Sequence, residues 1–220
     1  MKSIPISRLA DMGVCELKLL HRFVYGSRPR YSRAVFLGGA HHAESARKDA
    51  ERGYELVSRD ELLRELRSEL SALELPNESV SVEFSYDGMT FTGRIDKLVK
   101  NGRDVLVSDE KFVRSTRRKL RRNHWIQLSA YCHGLAEGRS RIGGVDLGVG
   151  FFANHALYYQ VIERAMDGRA LLFASKPEPF RRGQLAPVLE RFERILKLEF
   201  PEDVLACRDF ATCSFCEFRE

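Results

Sequence analysis

The stretch that most limits the fold of this chain is a pair of alternating runs, SVSVEFSY and MTFTGRIDKLV, separated by Asp87-Gly88. Alternation of apolar and polar residues is typical of a strand with one buried face, and Asp-Gly between two such runs is a strong hairpin signal. A second turn, Lys100-Asn101-Gly102-Arg103, leads into a third run, DVLVSDEKF. We therefore predict three consecutive strands that form an antiparallel meander.

Helical patterns lie on both sides of these strands. They predict helices over residues 7–25 with Ser7 as a cap, over 39–56, after Ser58 in DELLRELRSEL, over 119–138, and in LAPVLERFERILKLEF. The segments VDLGVGFFA, ALYYQVIERA and RALLFAS predict further strands. This order of elements indicates an α/β domain in which a mixed sheet is flanked by helices.

Length and composition indicate one domain over residues 1–220 of a globular chain with 44% hydrophobic and 30% charged residues. The longest apolar runs fall well short of the roughly 20 residues of a membrane span. The start, MKSIPISRLADMG, lacks the apolar segment of a secretory signal. We expect a cytoplasmic protein that does not contact a membrane.

Positive charge is concentrated in one segment. The formal net charge is +5, and Arg114–Arg122 carries six cations and no acid, so the rest of the chain is nearly neutral. A local basic segment suits the binding of a polyanion such as a nucleic acid. The alternative is a solvated helix face rich in arginine.

The third strand ends in three charged residues. Because side chains alternate along a strand, Asp109 and Lys111 leave one face and Glu110 leaves the other. If the preceding strand pairs across the turn, Asp96 lies at the same end of the sheet. Two carboxylates and an ammonium suit metal-dependent hydrolysis of a phosphodiester, in which Asp96 and Asp109 would hold Mg²⁺ or Mn²⁺ and Lys111 would position the attacking water. The alternative is a strand that simply reaches the solvent at this point.

Several short motifs resemble those of the RecB-like branch of the PD-(D/E)XK nucleases. They are GRID (Gly93–Asp96), SDEK (Ser108–Lys111), QLSAY (Gln127–Tyr131) and, upstream, LGGAHHAE. The resemblance implies a restriction-endonuclease-like core with Asp96, Asp109, Lys111, Gln127 and Tyr131 in the catalytic site.

The same resemblance implies the metal ligands. These are Asp96, Asp109, His42 as a third ligand, and the backbone carbonyl of Glu110. His41 is adjacent to His42, so the assignment between the two stays open. Read without the family, the histidines are ordinary polar residues at a helix start, and Gln127 with Tyr131 is a hydrogen-bonded surface pair one helical turn apart.

Cysteine spacing predicts a second metal centre. The chain ends in Cys207, Cys213 and Cys216 as C-x₅-C-x₂-C, and a Cys-x₂-Cys pair favours ligation of a metal. Cys15 and Cys132 are candidates for a fourth ligand, and Cys132, on an apolar helix face, is more typical of a core residue. Only seven Asn and Gln residues occur, a weak thermophile signal that keeps an intracellular disulfide open.

Cys15 resembles the N-terminal cysteine of RecB-like nucleases in which an iron-sulfur cluster joins the two ends of the chain. The cluster-binding parts would be residues 7–30 and 200–220, with Cys15, Cys207, Cys213 and Cys216 as ligands of a 4Fe-4S or 2Fe-2S cluster. The terminal spacing departs from the commoner C-x₂-C-x₅-C, which leaves the cluster type open. A structural zinc is the alternative, and we expect a mainly structural role for either.

The most specific resemblance is to the CRISPR-associated exonuclease family. It implies exonuclease action on single-stranded DNA with 5′ to 3′ polarity, in antiviral defence, during spacer acquisition beside the CRISPR-adaptation integrase complex. We predict DNA contacts from Arg117, Arg118, Arg121 and Arg122. The alternatives are a RecB-like repair nuclease and a non-catalytic DNA-binding subunit that retains the nuclease fold.

Overall fold

Short strands and helices alternate along the computed structural model, which describes residues 3–26, 47, 59–75, 79–113, 120–165 and 172–197. In chain order, the strands are β1 (Ser3–Pro5), β2 (Ala72–Leu75), β3 (Val80–Tyr86), β4 (Met89–Ile95), β5 (Lys97–Asn101), β6 (Asp104–Val113), β7 (Arg139–Ile142), β8 (Val145–Val149), β9 (Ala156–Ala165), β10 (Leu172–Ala174) and β11 (Glu178–Pro179). The helices are α1 (Ile6–Leu9), α2 (Leu17–Leu19), α3 (Arg59–Arg67), α4 (Arg122–Glu137) and α5 (Ala186–Leu196).

The Asp87-Gly88 turn joins β3 to β4 as the sequence predicts. Tyr86 pairs with Met89, so the loop has two residues. Both have positive φ angles, 43° for Asp87 and 72° for Gly88. That combination matches the right-handed twist of the flanking strands, and the hairpin prediction is confirmed.

The second strand of the expected meander is interrupted at Asp96. The run MTFTGRIDKLV forms two strands, β4 before Asp96 and β5 after it, and they belong to different sheets. The single three-stranded meander is therefore wrong. Asp96 lies in a bend, and its carboxylate accepts a hydrogen bond from the backbone N–H of Glu110 on β6, so the chain turns at that residue from one sheet to the next.

The strands form two mixed sheets. The first has the order β1-β4-β3-β7-β8, and the second has the order β10-β9-β6-β5-β2 with β11 also paired to β9. Pairing is parallel between β1 and β4 and between β6 and β9, and antiparallel elsewhere. The predicted α/β class with mixed strand pairing is confirmed.

Helix α4 packs between the two sheets. It contacts β3 of the first sheet and β6 and β9 of the second, and most of its residues are buried. Gly134 allows the helix to approach β3 closely, because a Cβ at that position would lie 2.8 Å from the Cβ of Val82. This central position brings side chains of α4 to the end of β6, where the charged residues lie.

The helix predicted over residues 7–25 is broken into short pieces. A 3₁₀ turn, Ala10–Gly13, follows α1, and a π-helical turn, Leu20–Val24, follows α2. The predicted cap at Ser7 is wrong, since α1 begins one residue earlier with Pro5 at the capping position. The segment packs so closely against α4 that its backbone path is restricted at Gly13. A Cβ on Gly13 would lie 2.3 Å from the backbone N of Asn123 at the start of α4.

Most of the other predicted elements agree with the structure. Strand β9 coincides with ALYYQVIERA, and α3, α4 and α5 lie within the predicted helical runs. Strand β7 was not predicted, and VDLGVGFFA forms only β8 before a turn at Gly150. The helix predicted over 39–56 and the cap at Ser58 fall almost wholly outside the described residues. Among the helices that are described, none has the length and apolar character to cross a membrane.

Candidate active site

The hairpin of β5 and β6 brings Asp96 beside Asp109. Lys97 pairs with Ser108, so the residues that precede and follow this pair come together at the end of the second sheet. The backbone N–H of Glu110 donates a hydrogen bond of 2.8 Å to Oδ2 of Asp96. Asp96 is 7% exposed and Asp109 is fully buried. The predicted convergence of the two carboxylates is therefore present in the structure.

Strand alternation separates the three charged residues at the end of β6. Lys111 Nζ donates to Oδ1 of Asp109 at 2.9 Å and lies 2.8 Å from its Oδ2. Glu110 points to the opposite face, where Arg164 Nη2 donates to its Oε1 at 2.9 Å. The side chain of Glu110 thus has its own cation and does not join Asp109 and Lys111.

Helix α4 completes the site with an amide and a phenol. Gln127 Nε2 donates to Oδ1 of Asp109 at 3.0 Å and to the hydroxyl of Tyr131 at 3.1 Å, and its Oε1 accepts from Lys111 Nζ at 3.3 Å. The amide therefore uses both N–H donors and its carbonyl within the site. Gln127 is 8% exposed and Tyr131 is also buried, so the surface-pair interpretation is wrong.

Burial and charge shift the pKa values at this site. Removal from water, and then the neighbouring Asp109 carboxylate, raise the pKa of Asp96 to about 8. Burial alone would lower the pKa of Lys111, but the carboxylate of Asp109, with that of Asp96, outweighs it and raises the pKa above the ordinary value. Lys111 is therefore charged at neutral pH, and the two carboxylates resist being ionised together.

Gly93 of the GRID motif has a steric role that its place in the motif did not reveal. A Cβ at Gly93 would lie 2.7 Å from Cε1 of Tyr131 and 3.0 Å from Cδ1 of Ile6. Carbon atoms in van der Waals contact are about 3.5 to 4.0 Å apart. The ring of Tyr131 therefore reaches Gln127 across a position that only glycine leaves open.

Two buried residues near the site were missed by sequence reasoning. His124 lies on α4 three residues before Gln127 and is 5% exposed; burial lowers its pKa to about 4, although Asp109 acts in the opposite direction. Glu163 is fully buried on β9, in register with Lys111 on the neighbouring parallel strand. His124 could have been predicted, because it lies three residues before Gln127 and so on the same side of the helix. The position of Glu163 near the site could not, because it depends on the pairing register of β6 with β9.

The remaining predicted residues are divided between described and undescribed parts of the chain. Arg121 directly precedes α4 and Arg122 is its first residue. Cys15 and Cys132 are both buried, and burial raises the pKa of the Cys132 thiol, which confirms the core assignment of Cys132. Outside the described residues lie His41, His42, Arg117, Arg118, Cys207, Cys213 and Cys216. Within the described ranges, no group of three His, Cys, Asp or Glu side chains has a metal-binding arrangement.

Comparisons with known proteins show the family and the fold of the chain. The family model described as the PD-(D/E)XK nuclease superfamily matches residues 17–220. The solved structure described as "Crystal structure of SSO0001" is 16% identical, with a TM-score of 0.52 over 99% of this chain and 84% of the other, and it shows a similar fold. A second structure, "Crystal Structure of LHK-Exo in complex with dAMP", is 11% identical over 89% of this chain and 88% of the other, with a TM-score of 0.44. Among curated proteins, no sequence matches the chain.

Proposed function

Because the chain belongs to the PD-(D/E)XK nuclease superfamily, whose members are nucleases, we propose that it is a metal-dependent deoxyribonuclease. One observation carries the proposal: Lys111 and Gln127 both contact Asp109, at the same end of the sheet as Asp96. A structural ion pair needs only Lys111 and Asp109. A second buried carboxyl group beside them is costly to ionise, and a structural ion pair does not need it.

The carboxylates fit a hard divalent cation. Superfamily members generally use Mg²⁺ or Mn²⁺, which prefer carboxylate and water oxygens. Oδ2 of Asp109 is buried and lies 2.8 Å from Lys111 Nζ, without a hydrogen bond of good geometry from the described residues. Burial and the Asp109 carboxylate raise the pKa of Asp96 to about 8, so a divalent cation bound here would favour the ionised form of Asp96 and offset the second negative charge. Asp96 and Asp109 would hold the metal together with the Glu110 carbonyl and His42, and the metal would supply Lewis acidity toward a phosphate oxygen.

The side chains of the site have distinct tasks in the proposed reaction. Lys111 holds the attacking water near the phosphate and offsets negative charge that develops on its oxygens. Gln127 fixes Lys111 and Asp109 at once, because its amide contacts both. Tyr131 holds the amide by accepting its second N–H. These contacts hold the ammonium near the carboxylates before DNA arrives, as a site that favours the transition state requires.

We further propose single-stranded DNA as the substrate, cleaved as an exonuclease with 5′ to 3′ polarity, in CRISPR spacer acquisition beside the adaptation integrase. The basic segment that contains Arg117, Arg118, Arg121 and Arg122 supports a polyanionic substrate, since it follows Lys111 closely in the chain and reaches the start of α4. A repair nuclease of the RecB-like kind fits the same site, and gene neighbourhood separates the two roles.

We also propose a single domain over residues 1–220 whose ends meet at an iron-sulfur cluster held by Cys15, Cys207, Cys213 and Cys216. The supporting contact is next to Cys15: the fully buried Glu16 accepts hydrogen bonds from Nε and Nη2 of Arg191, at 2.5 and 2.8 Å. Arg191 belongs to α5, the helix that precedes the terminal cysteines. An absorbance spectrum of anaerobically purified protein tests the cluster, because zinc is colourless and iron-sulfur clusters absorb visible light.

Cleavage of end-labelled DNA tests the nuclease proposal. Single and double strands with one end blocked are incubated with Mg²⁺ or Mn²⁺, and the block separates the two polarities. Asp109→Ala and Lys111→Ala are expected to lower the rate by about 100-fold or more, as loss of transition-state charge stabilisation does. Asp104→Asn, at the other end of β6, is the matched control and should cleave normally. Cleavage that survives both active-site substitutions would refute the assignment.

A further inference from the structure

The outer face of the first sheet carries a cluster of arginines. Along β3 and β7, buried residues alternate with exposed or half-buried ones, so one face packs inward and the other faces solvent. The side chains on the solvent side include Ser81 and Glu83 of β3, Thr92 and Arg94 of β4, and Arg139 and Arg141 of β7. None of these positions belongs to the catalytic site described above.

Strand register places two of the arginines in one row. Ser81 pairs with Arg94 on one side and with Arg141 on the other, so both guanidinium side chains flank a small residue. Neighbouring strands are about 4.8 Å apart, which puts the two arginine backbones about 10 Å from each other. A row of two cations across a small polar residue leaves room for an extended anion between them.

The next row is partly neutralised. Glu83 pairs with Thr92 and with Arg139, and Arg139 Nη1 lies 3.3 Å from Oδ2 of Asp146. Arg141 has no carboxylate partner among the residues that the structure describes. This face therefore carries three arginines, Arg94, Arg139 and Arg141, beside the two carboxylates of Glu83 and Asp146, which leaves a net positive charge of one among these residues.

These residues line an open groove of about 520 Å³, with Pro5 and Gly93 among the other lining residues. Groove and candidate active site meet at one end of β4. Arg94 is two residues from Asp96 in the chain, whereas Tyr131 packs against Gly93 on the opposite, inner face of β4. A single strand bound in the groove would therefore reach the site around the end of β4, beside Asp96.

We propose that this groove binds the phosphodiester backbone of single-stranded DNA through Arg94 and Arg141, outside the catalytic site. The proposal rests on the proposed nuclease function, which makes a polyanion the substrate. A flexible backbone with repeated phosphates fits this groove for three reasons. The row is positively charged, the side chain between the two arginines is small and polar, and the groove is open. Base edges have few partners here, so binding would be insensitive to sequence.

Equilibrium binding without cleavage tests the groove. A fluorescent 20-nucleotide single strand is titrated with protein in EDTA, at several salt concentrations. Each lost phosphate contact should reduce the slope of log affinity against log salt by about 0.7, so the double variant Arg94→Ala/Arg141→Ala should lose about 1.4. Between 50 and 200 mM salt, the wild type should then lose about sevenfold more affinity than the variant.

Two further variants make the test specific. Glu83→Gln removes the carboxylate at the margin of the row and should increase affinity, an effect that general unfolding cannot produce. Arg64→Ala removes an exposed arginine on α3 and is the matched control for loss of one positive charge. The groove proposal would be refuted if the double variant kept the affinity and the salt slope of the wild type. It would also be refuted if Arg64→Ala reduced the salt slope by as much as each arginine removed in the double variant.

Failure of the groove and failure of the nuclease proposal give different results. Binding in EDTA needs no metal and no chemistry, so it reports on the groove alone. Cleavage by the wild type that is lost in Asp109→Ala reports on the catalytic site. A protein that cleaves through Asp109 and binds equally well without Arg94 and Arg141 keeps its nuclease function and refutes the groove.

Discussion

Replacement of Gly93 by alanine should disable the site while the protein stays folded. The added Cβ would lie 2.7 Å from Cε1 of Tyr131, so the ring must withdraw by about 1 Å to reach ordinary contact distance. The hydrogen bond from Gln127 Nε2 to the Tyr131 hydroxyl is 3.1 Å long, and such a shift breaks it or pulls Gln127 away from Asp109.

The expected loss of activity follows from that displacement. A misplacement of about 1 Å in a catalytic group can cost on the order of 100-fold in rate, so we expect kcat to fall between about 10-fold and 100-fold. Overpacking of a core typically costs about 1 to 3 kcal/mol in the free energy of unfolding. Single-turnover cleavage of a labelled single strand and urea unfolding measure the two effects separately.

Gly134→Ala is the matched control. It also presses α4 against the first sheet, but its Cβ would meet the Cβ of Val82 at 2.8 Å instead of the ring of Tyr131. We expect a loss of stability, reduced by the better helix propensity of alanine, and nearly unchanged kcat. A folded Gly93→Ala protein with wild-type turnover would refute the reasoning, and so would a wild-type rate in Tyr131→Phe, which removes only the hydroxyl.

Three further predictions concern buried charges. Arg191→Met should lower the free energy of unfolding by about 3 to 5 kcal/mol because Glu16 stays buried without its cation; Glu16→Gln added to it should restore part of that loss in urea titrations. Burial lowers the pKa of His124 to about 4 in the folded protein. As pH falls below about 6.5, this imidazole therefore takes up a proton in the unfolded chain but not yet in the folded one. When the pH is lowered from 7.5 to 5, the wild type should therefore lose about 2 kcal/mol more of its free energy of unfolding than His124→Asn does. An equal loss in the two proteins would refute this prediction. Mn²⁺ at about 100 times its Kd should stabilise the wild type by about 2.7 kcal/mol in thermal unfolding and leave Asp109→Asn nearly unchanged; equal stabilisation of both would place the metal elsewhere.

The sequence predicted those features that depend on local chemistry. Asp87-Gly88 specifies a two-residue hairpin turn through its backbone preferences, and helical periodicity specifies α4. The residues proposed as catalytic, Asp96, Asp109, Lys111, Gln127 and Tyr131, were predicted from motif order and do come together. Each of these signals lies within a few residues of the feature that it predicts.

Features that depend on tertiary packing were not predictable in the same way. No local pattern distinguishes a strand that continues through Asp96 from one that bends there into a second sheet. Likewise, the broken helix of residues 6–24 reflects the close approach of Gly13 to Asn123, which lies more than 100 residues later in the chain. Glu163 becomes part of the site only through the parallel pairing of β6 with β9.

The spacing of twelve residues between Asp96 and Asp109 has a geometric origin. The five residues of β5, the two of the turn and the first five of β6 fill the interval, and Asn101 pairs with Asp104 across the turn. Arms of equal length return the chain to the point from which it left, so the two carboxylates face each other. One extra residue in either arm would turn one carboxylate to the opposite face of the sheet. The spacing therefore describes a hairpin of fixed register, and the weak motif gains its meaning from that hairpin.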